Sequence, residues 1–194
     1  MDYFDRSKAS VLENLKKQDK SRKGDVDLGA VPVVNAFNSL PDFYTTSSCS
    51  GRISLFRESR SRKKFDSGWL FVKHGEVSKD ELLVVLQRLP LDTIWFRQEA
   101  PIFHVACRNQ DCALELLSLC RDIGFKHSGI IGLGRRVMVE IIFNEKIDCP
   151  IAENSILHLN NSHLDLLVLK ANEKFRYNNK LLEKFVVALK DRFS

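Results

Sequence analysis

The sequence predicts an α+β domain whose largely antiparallel sheet is built from β-hairpin–helix units and packs with peripheral helices and a long C-terminal helix. Pairs of apolar, strand-like runs recur along the chain, and a helix-like run follows each pair. The last segment, from about Ser162, keeps one continuous apolar stripe, which is typical of a long amphipathic helix. Hydrophobic content of 44% with 28% charged residues is ordinary for a globular protein, and a chain of 194 residues predicts one domain over 1–194.

Two helices are predicted before the first strand. From Tyr3 to about Lys20, a few apolar positions leave most of the surface to charged residues, which indicates a peripheral helix. A loop around Gly24 follows, and its cluster of Lys and Arg residues is either solvated or faces phosphates. The second helix covers Val31 to Leu40, with Pro32 in its first turn and Pro41 closing it.

The first strand pair comprises residues 45–57 and Gly68 to His74, on either side of a basic loop. The sequence Ser78-Lys79-Asp80-Glu81 then matches a capping box, in which a serine and a glutamate three positions later cap each other's backbone. A helix is therefore predicted from this box to Leu89.

The second pair, Thr93 to Arg97 and Ile102 to Arg108, flanks a turn at Glu99-Ala100-Pro101. A helix from about Asp111 to Ile123 follows and ends at a glycine.

The third pair, Ser128 to Leu133 and Arg136 to Phe143, flanks Gly134, and a less regular connection with Pro150 and Ile156–Leu159 leads to the last helix. The segment Ser128–Leu133 is similar to Ser50–Leu55, which suggests an internal duplication of the hairpin–helix unit.

Composition excludes several classes of protein. The five cysteines form no Cys-x-x-Cys pair, so neither a disulfide framework nor a metal site is predicted. No apolar run approaches the ~20 residues of a membrane helix, and the start lacks a signal peptide, so we expect a cytoplasmic protein with no membrane partner. No dinucleotide or P-loop fingerprint is present. The net charge of +5 suits a polyanionic partner without requiring one.

The stretch Thr45–Ser54 is rich in hydroxyl groups and also carries Cys49, Gly51 and Arg52. It is either a strand entered through a serine-rich turn or a strand whose short side chains let a ligand approach closely. Cys49 is either a small buried thiol or a nucleophile.

Other polar residues have two interpretations as well. His74 and His104 lie on predicted strands, with Glu99 nearby in sequence, and are either hydrogen-bonded core residues or parts of a polar site. The loop at residues 57–64 holds five cations against one anion, and it either grips phosphates or is solvated.

Taken together, these segments resemble the tRNA wybutosine-synthesizing protein 3 family, and the order of the motifs holds over nearly the whole chain. The matching residues are Asp19-x-Ser21-Arg22-Lys23-Gly24-x-Val26-Asp27, Thr45–Ile53, Trp69-Leu70, His74, Glu99, His104-Val105, Cys107-Arg108, Gly124-Phe125-Lys126-x-Ser128-Gly129-Ile130, Ala171-Asn172-x-Lys174 and Glu183-x-Phe185.

The resemblance implies a methyltransferase that acts on the hypermodified guanosine beside the tRNA-Phe anticodon. The reaction transfers a methyl group from S-adenosylmethionine to a ring nitrogen of 7-aminocarboxypropyl-demethylwyosine. The resemblance implies that His74, Glu99 and His104 transfer protons or orient the substrate. The residues implied for the cofactor or base pocket are Ser47, Ser48, Cys49, Ser50, Gly51, Arg52, Ser128 and Gly129. Contacts to the anticodon stem-loop are expected from Lys23, Arg60, Arg62 and Lys63.

Two alternatives remain open. A non-catalytic RNA-binding module would explain the basic loops without a cofactor, and saturable binding of S-adenosylmethionine separates it from the enzyme. A second enzyme would use the same cofactor to methylate a different base or a protein.

Overall fold

The computed structural model describes residues 2–16, 27–61 and 66–193. The helices are α1 (Tyr3–Lys16), α2 (Val31–Ser39), α3 (Lys79–Leu86), α4 (Gln110–Asp122) and α5 (Asn161–Phe193). The strands are β1 (Phe43–Cys49), β2 (Arg52–Glu58), β3 (Gly68–Lys73), β4 (Thr93–Glu99), β5 (Ile102–Cys107), β6 (Gly129–Leu133), β7 (Val137–Ile142), β8 (Ile147–Glu153) and β9 (Ile156–Leu157). The ladders that join these strands are antiparallel, so the predicted α+β class is confirmed.

The strands form two sheets, each in its own compact unit. The four-strand unit has the sheet order β1-β5-β7-β6 and is drawn from Met1–Ser50, Pro101–Asn144 and Asn179–Ser194. The five-strand unit has the order β3-β2-β4-β8-β9 and is drawn from Gly51–Ala100 and Glu145–Asn178. The expectation of a single domain over 1–194 stays a prediction.

In the four-strand unit, packed aromatic side chains cover one face of the sheet. Phe103 of β5 points to this face and lies 6.3 Å from Phe143, measured between ring centroids. Phe143 stacks on Phe125 at 4.0 Å, and Phe185 of α5 meets both rings edge-on. Such aromatic pairs add directional contacts to the burial of large apolar areas, which fixes the covering helices on this face.

Helix α1 covers part of the opposite face. Phe4 packs there against Tyr44 and Ala106, and the three side chains are almost fully buried. Arg108 also forms salt bridges to Asp2 and Asp5, which attach the start of α1 to the end of β5. The rest of this face, further along the strands, is more open.

The five-strand unit buries an aliphatic core on one face of its sheet. Strands β2 and β4 contribute Ile53, Leu55 and Phe96, and α3 and the first half of α5 pack over them through residues such as Leu82 and Phe175. Strict alternation of buried and half-buried positions along β4 leaves the other face of this sheet for polar and aromatic residues.

The predicted first strand, residues 45–57, is in fact two strands in different sheets. Gly51 has φ of 92°, in the left-handed region that glycine adopts without steric cost. The chain bends there, so that β1 ends at Cys49 and β2 starts at Arg52. The pairing of the second half with residues 68–73 is confirmed, since β2 pairs with β3.

The predicted hairpin around Glu99-Ala100-Pro101 is wrong. Strand β4 pairs with β2 and β8, whereas β5 pairs with β1 and β7. Two-residue hairpin loops need positive φ at one or both central positions. Pro101 cannot adopt the positive φ that a type I′ turn needs at its second central position, and Ala100 would have to take the positive φ of a type II′ turn, which its Cβ disfavours, so each strand pairs with a distant partner.

The third predicted pair forms a hairpin, β6–β7, as expected. The predicted irregular connection with Pro150 and Ile156–Leu159 is instead a second hairpin, β8–β9, before α5. Asn154 and Ser155, with φ of 55° and 60°, form the two-residue turn of the β8–β9 hairpin.

The predicted start of α3 and end of α4 are confirmed, although α3 ends at Leu86 and not at Leu89. Ser78 Oγ accepts from the Glu81 backbone N–H, and the Glu81 side chain accepts from the Ser78 N–H, so the capping box is present. Gly124, with φ of 98°, follows the end of α4. Within the described part of the chain, no helix combines the length and apolar character needed to cross a membrane.

Candidate active site

The open part of the four-strand sheet carries one row of polar residues across all four strands. Ser47 of β1 lies opposite His104 of β5, His104 lies opposite Glu140 of β7, and Glu140 lies opposite Gly129 of β6. Directly opposed residues share a face, so these four positions form a continuous strip. We call Ser47, His104, Glu140 and Gly129 the polar row.

A β-bulge sets which hydroxyl joins the polar row. The register between β1 and β5 shifts between Thr45 and Ser47, so Thr46 is the extra residue. Its hydroxyl donates to the His104 carbonyl oxygen at 3.3 Å. Ser47 therefore takes the place opposite His104 and is exposed on the open face.

His104 and Glu140 form a hydrogen-bonded pair within the row. His104 Nε2 lies 2.8 Å from Glu140 Oε2. Because an ionised carboxylate only accepts hydrogen bonds, Nε2 carries the hydrogen and the lone pair of the neutral ring resides on Nδ1. The two side chains are 31% and 26% exposed, so they remain accessible to a substrate. The arrangement is that of an imidazole whose orientation is fixed by a carboxylate.

Glu140 was missed by reasoning from the sequence. The signal was its place in the run Val137-Met138-Val139-Glu140-Ile141, where a carboxylate interrupts an apolar strand. That pattern alone does not reveal its partner, which lies 36 residues earlier.

The fit of this face to a nucleoside-type cofactor can be tested at Gly129. A Cβ built on Gly129 would meet nothing within 4 Å, so the space above this end of the row is open. Hydroxyl, imidazole and carboxylate groups beside that space match the hydrogen-bonding groups of a ribose and of an amino acid. The row therefore offers hydrogen-bonding groups beside open space, which a nucleoside-type methyl donor needs.

The remaining predicted pocket residues of this unit have different positions. Ser48 lies opposite Phe103, on the helix-covered face, and so apart from Ser47. Cys49 lies opposite Ile102, on the open face, and is partly exposed. Ser128 Oγ accepts from the Ile142 backbone N–H at 3.2 Å, which pins the start of β6.

Ser50 belongs to a hydrogen-bonded latch with Asp27. The Asp27 Oδ2 atom accepts from the Ser50 backbone N–H and from Ser50 Oγ, both at 2.6 Å. Asp27 Oδ1 accepts from the Gly29 N–H at 3.1 Å. A Cβ on Gly29 would lie 2.5 Å from Ser50 Oγ, so a larger residue would push the latch apart. Ser50 is 2% exposed, so the Asp27 latch shapes the loop after β1 from within.

The five-strand unit holds the other predicted residues in two pairs. The Arg52 guanidinium donates to the Glu99 carboxylate, opposite it in the β2–β4 ladder. His74 Nδ1 lies 3.0 Å from the Gly51 carbonyl oxygen, which only accepts, so the lone pair of this ring is on Nε2. Glu99 thus orients Arg52, and Gly51 orients His74.

Of the predicted RNA contacts, Arg60 is described and exposed. Its side chain donates to the Leu91 carbonyl oxygen at 3.2 Å and to Asn154 Oδ1, which holds the start of the β2–β3 loop. Lys23, Arg62 and Lys63 lie outside the described residues.

Comparison with known proteins gives consistent matches. The family model described as Methyltransferase TYW3 matches residues 6–191. A Thermococcus sibiricus protein named tRNA(Phe) 7-((3-amino-3-carboxypropyl)-4-demethylwyosine(37)-N(4))-methyltransferase is 36% identical over 182 residues, which cover 93% of this chain and 91% of that protein. A Bos taurus tRNA wybutosine-synthesizing protein 3 homolog is 34% identical, with 94% of this chain and 70% of that protein covered.

Solved structures agree with the sequence matches. A Pyrococcus horikoshii protein superposes with a TM-score of 0.86 at 32% identity, covering 96% of this chain and 95% of its own. A hypothetical protein from Aeropyrum pernix superposes with a TM-score of 0.75 at 28% identity, covering 85% and 98%. Sequence and fold therefore place the chain in one family: it belongs to the tRNA wybutosine-synthesizing protein 3 methyltransferases.

Proposed function

We propose that this chain methylates N4 of the 7-(3-amino-3-carboxypropyl)-4-demethylwyosine base at position 37 of tRNA-Phe, with S-adenosylmethionine as the donor. The polar row is the observation that carries the proposal. It places a hydroxyl, an imidazole–carboxylate pair and an open glycine side by side on an accessible sheet face. The names of the relatives in this family supply the substrate.

Ser47 and Gly129 would hold the donor, since one offers a hydroxyl and the other open space. When bound, S-adenosylmethionine supplies an electrophilic methyl group on a sulfonium that leaves readily. The protein's tasks are then to align the base nitrogen, to keep water out and to accept a proton.

His104 is the proposed proton acceptor. Its Nδ1 lone pair takes the proton that the base nitrogen loses on methylation, and Glu140 stabilises the imidazolium through the Nε2–H. We propose that Arg52 binds a carboxylate or phosphate of the substrate and that His74 and Glu99 orient the substrate. Within the four-strand unit, Cys49 shares the open face with the polar row, and Ser50 and Ser128 hold the backbone next to it, whereas Ser48 lies on the other face and is left out of the proposed pocket. Gly51 provides the bend at the start of β2.

The deciding experiment incubates the protein with tRNA-Phe from a strain that lacks the family's methyltransferase. Nucleoside mass spectrometry should show position 37 gaining one methyl group only when S-adenosylmethionine is added. Saturable RNA binding without this gain would favour the RNA-binding module. Methylation of another nucleotide or of a protein, with position 37 unchanged, would favour the second enzyme.

Cysteine alkylation provides a test of the pocket. Burial raises the pKa of the Cys107 and Cys120 thiols to about 12, so both stay protonated near neutral pH. Iodoacetamide should therefore leave these two unmodified in the folded protein and should label the partly exposed Cys49 and Cys149.

S-adenosylmethionine should slow the labelling of Cys49 and not that of Cys149, which lies in the five-strand unit and serves as the internal control. Peptide mass spectrometry measures both rates. Equal rates at Cys49 with and without the donor would remove Cys49 from the proposed pocket.

A further inference from the structure

The outer face of the five-strand sheet carries interleaved aromatic and arginine side chains. Phe56 of β2 lies opposite both Trp69 of β3 and Trp95 of β4. Arg52 and Arg97 lie on the same face, since they are separated from Phe56 or Trp95 by two or four positions along their strands. We call these five residues the Trp/Arg face. It is opposite to the aliphatic core of this unit.

The five side chains stack on one another. The Arg52 guanidinium carbon lies 4.3 Å from the Trp69 ring centroid, and Trp69 meets Phe56 edge-on at 4.8 Å between centroids. The Arg97 guanidinium carbon lies 4.7 Å from the Phe56 centroid and 5.6 Å from that of Trp95. These distances are within the range of cation–π contacts, so the face is a layer of π-systems and planar cations.

Neighbouring carboxylates hold these groups in place. Trp95 Nε1 donates to Glu58 at 2.7 Å, Arg97 Nε donates to Asp148 at 2.9 Å, and Arg52 donates to Glu99. Because both arginines are ion-paired, their guanidinium planes are held in fixed orientations beside the aromatic rings. A ligand that suits them is itself a flat π-system.

The layer is accessible. Trp69 is 42% exposed, and Val72, which lies on the same face opposite Ser54, is 39% exposed. An exposed tryptophan beside other apolar groups marks an interaction site more often than an isolated apolar residue does.

Charge indicates the class of partner. The β2–β3 hairpin, residues 52–73, contains seven Lys or Arg residues against two Asp or Glu residues. Its net charge of +5 makes the hairpin that bears Phe56 and Trp69 a strongly basic segment. A polyanion that also presents flat rings is a nucleic acid with unpaired bases.

We propose that the Trp/Arg face binds single-stranded RNA by stacking unpaired bases, and that on the substrate these are unpaired nucleotides of the anticodon loop. Unpaired bases stack on aromatic rings and guanidinium planes, whereas bases in a duplex are already stacked and are shielded from the protein. The choice of RNA rests on the proposed function. The location of the binding face rests on the geometry above.

Intrinsic fluorescence tests this directly, because the chain's two tryptophans, Trp69 and Trp95, are both on the face. An RNA hairpin with the anticodon-loop sequence should quench the emission saturably, and a fully paired duplex of the same length should quench it far less. Raising the salt concentration should weaken binding of the hairpin, since the positive hairpin residues contribute to the affinity.

Trp69→Ala should weaken binding of the RNA hairpin by about 10-fold, the typical loss for one stacked base, and Trp69→Phe should retain most of the affinity. Tyr177→Ala, in the same unit, is the matched control because Tyr177 is 51% exposed on α5, and it should bind as the unmodified protein does. Circular dichroism verifies that each variant is folded, and filter binding measures affinity independently of fluorescence.

Equal quenching by the duplex, or unchanged RNA affinity in Trp69→Ala, would overturn the proposal. So would a loss of S-adenosylmethionine binding in Trp69→Ala with RNA affinity unchanged, since the face would then take the adenine of the donor. None of these assays measures turnover. A failed stacking proposal is therefore distinguishable from a failed methyl-transfer proposal, which is decided by the mass spectrum of position 37.

Discussion

Replacing His104 by alanine lowers the rate constant for methyl transfer by about 100-fold while the protein stays folded, because the base nitrogen loses its proton acceptor. KM for both substrates should change little, since His104 acts on the proton. Single-turnover kinetics with saturating tRNA and donor measure this loss. His163→Ala, an exposed histidine on α5, is the matched control and should retain full activity.

Two further measurements separate a chemical role from a structural one. Added imidazole should restore part of the activity of His104→Ala, because the small base can occupy the vacated space. Glu140→Gln should lower the rate by about 10-fold, since the amide no longer stabilises the imidazolium or selects its tautomer. Full activity in His104→Ala would show that the proton leaves by another route.

Replacing Asp27 by alanine lowers the free energy of unfolding by about 3 kcal/mol, because it removes the acceptor for the buried Ser50 N–H and hydroxyl. Hydrogen bonds to a carboxylate are stronger than neutral ones, and a buried donor left without a partner keeps its full desolvation cost. Urea denaturation followed by circular dichroism measures the change.

Asp27→Asn retains one carbonyl acceptor and should recover part of the loss, and Asp191→Ala, an exposed carboxylate near the end of α5, serves as the control. Because the latch lies directly after Ser47–Cys49, Asp27→Ala should also weaken S-adenosylmethionine binding. An Asp27→Ala protein with unchanged stability would mean that water replaces the carboxylate without cost.

The sequence predicted much of the local structure. The capping box at Ser78, the glycine after α4 and the apolar stripe of α5 each depend on residues within a few positions of one another. The chain's own short-range chemistry specifies such features, so the helix positions could be inferred without knowing any distant contact.

Strand pairing could not be inferred in the same way. The alternation in β4 and β5 was visible, but the sequence does not show that these neighbouring strands pair with different sheets. Ala100-Pro101 was the available signal against a hairpin, because proline cannot take the positive φ of a type I′ turn and alanine disfavours that of a type II′ turn.

The candidate site shows the same difference between local features and distant contacts. Ser47, His104 and Gly129 were identified from the family motifs, whereas Glu140 was not, because its role depends on a register that places it opposite His104. Which serine faces that histidine depends on a single-residue bulge at Thr46.

By itself, the sequence determined the helices, the α+β class and the family, because caps, periodicity and motif order are properties of nearby residues and their spacing. Only the tertiary structure decided that residues 45–57 serve two sheets and that Ser47, His104, Glu140 and Gly129 share one row. The physical reason is the two-residue period of a strand. A shift of one position turns a side chain to the opposite face, so the positive φ of Gly51 and the bulge at Thr46 determine which groups can meet.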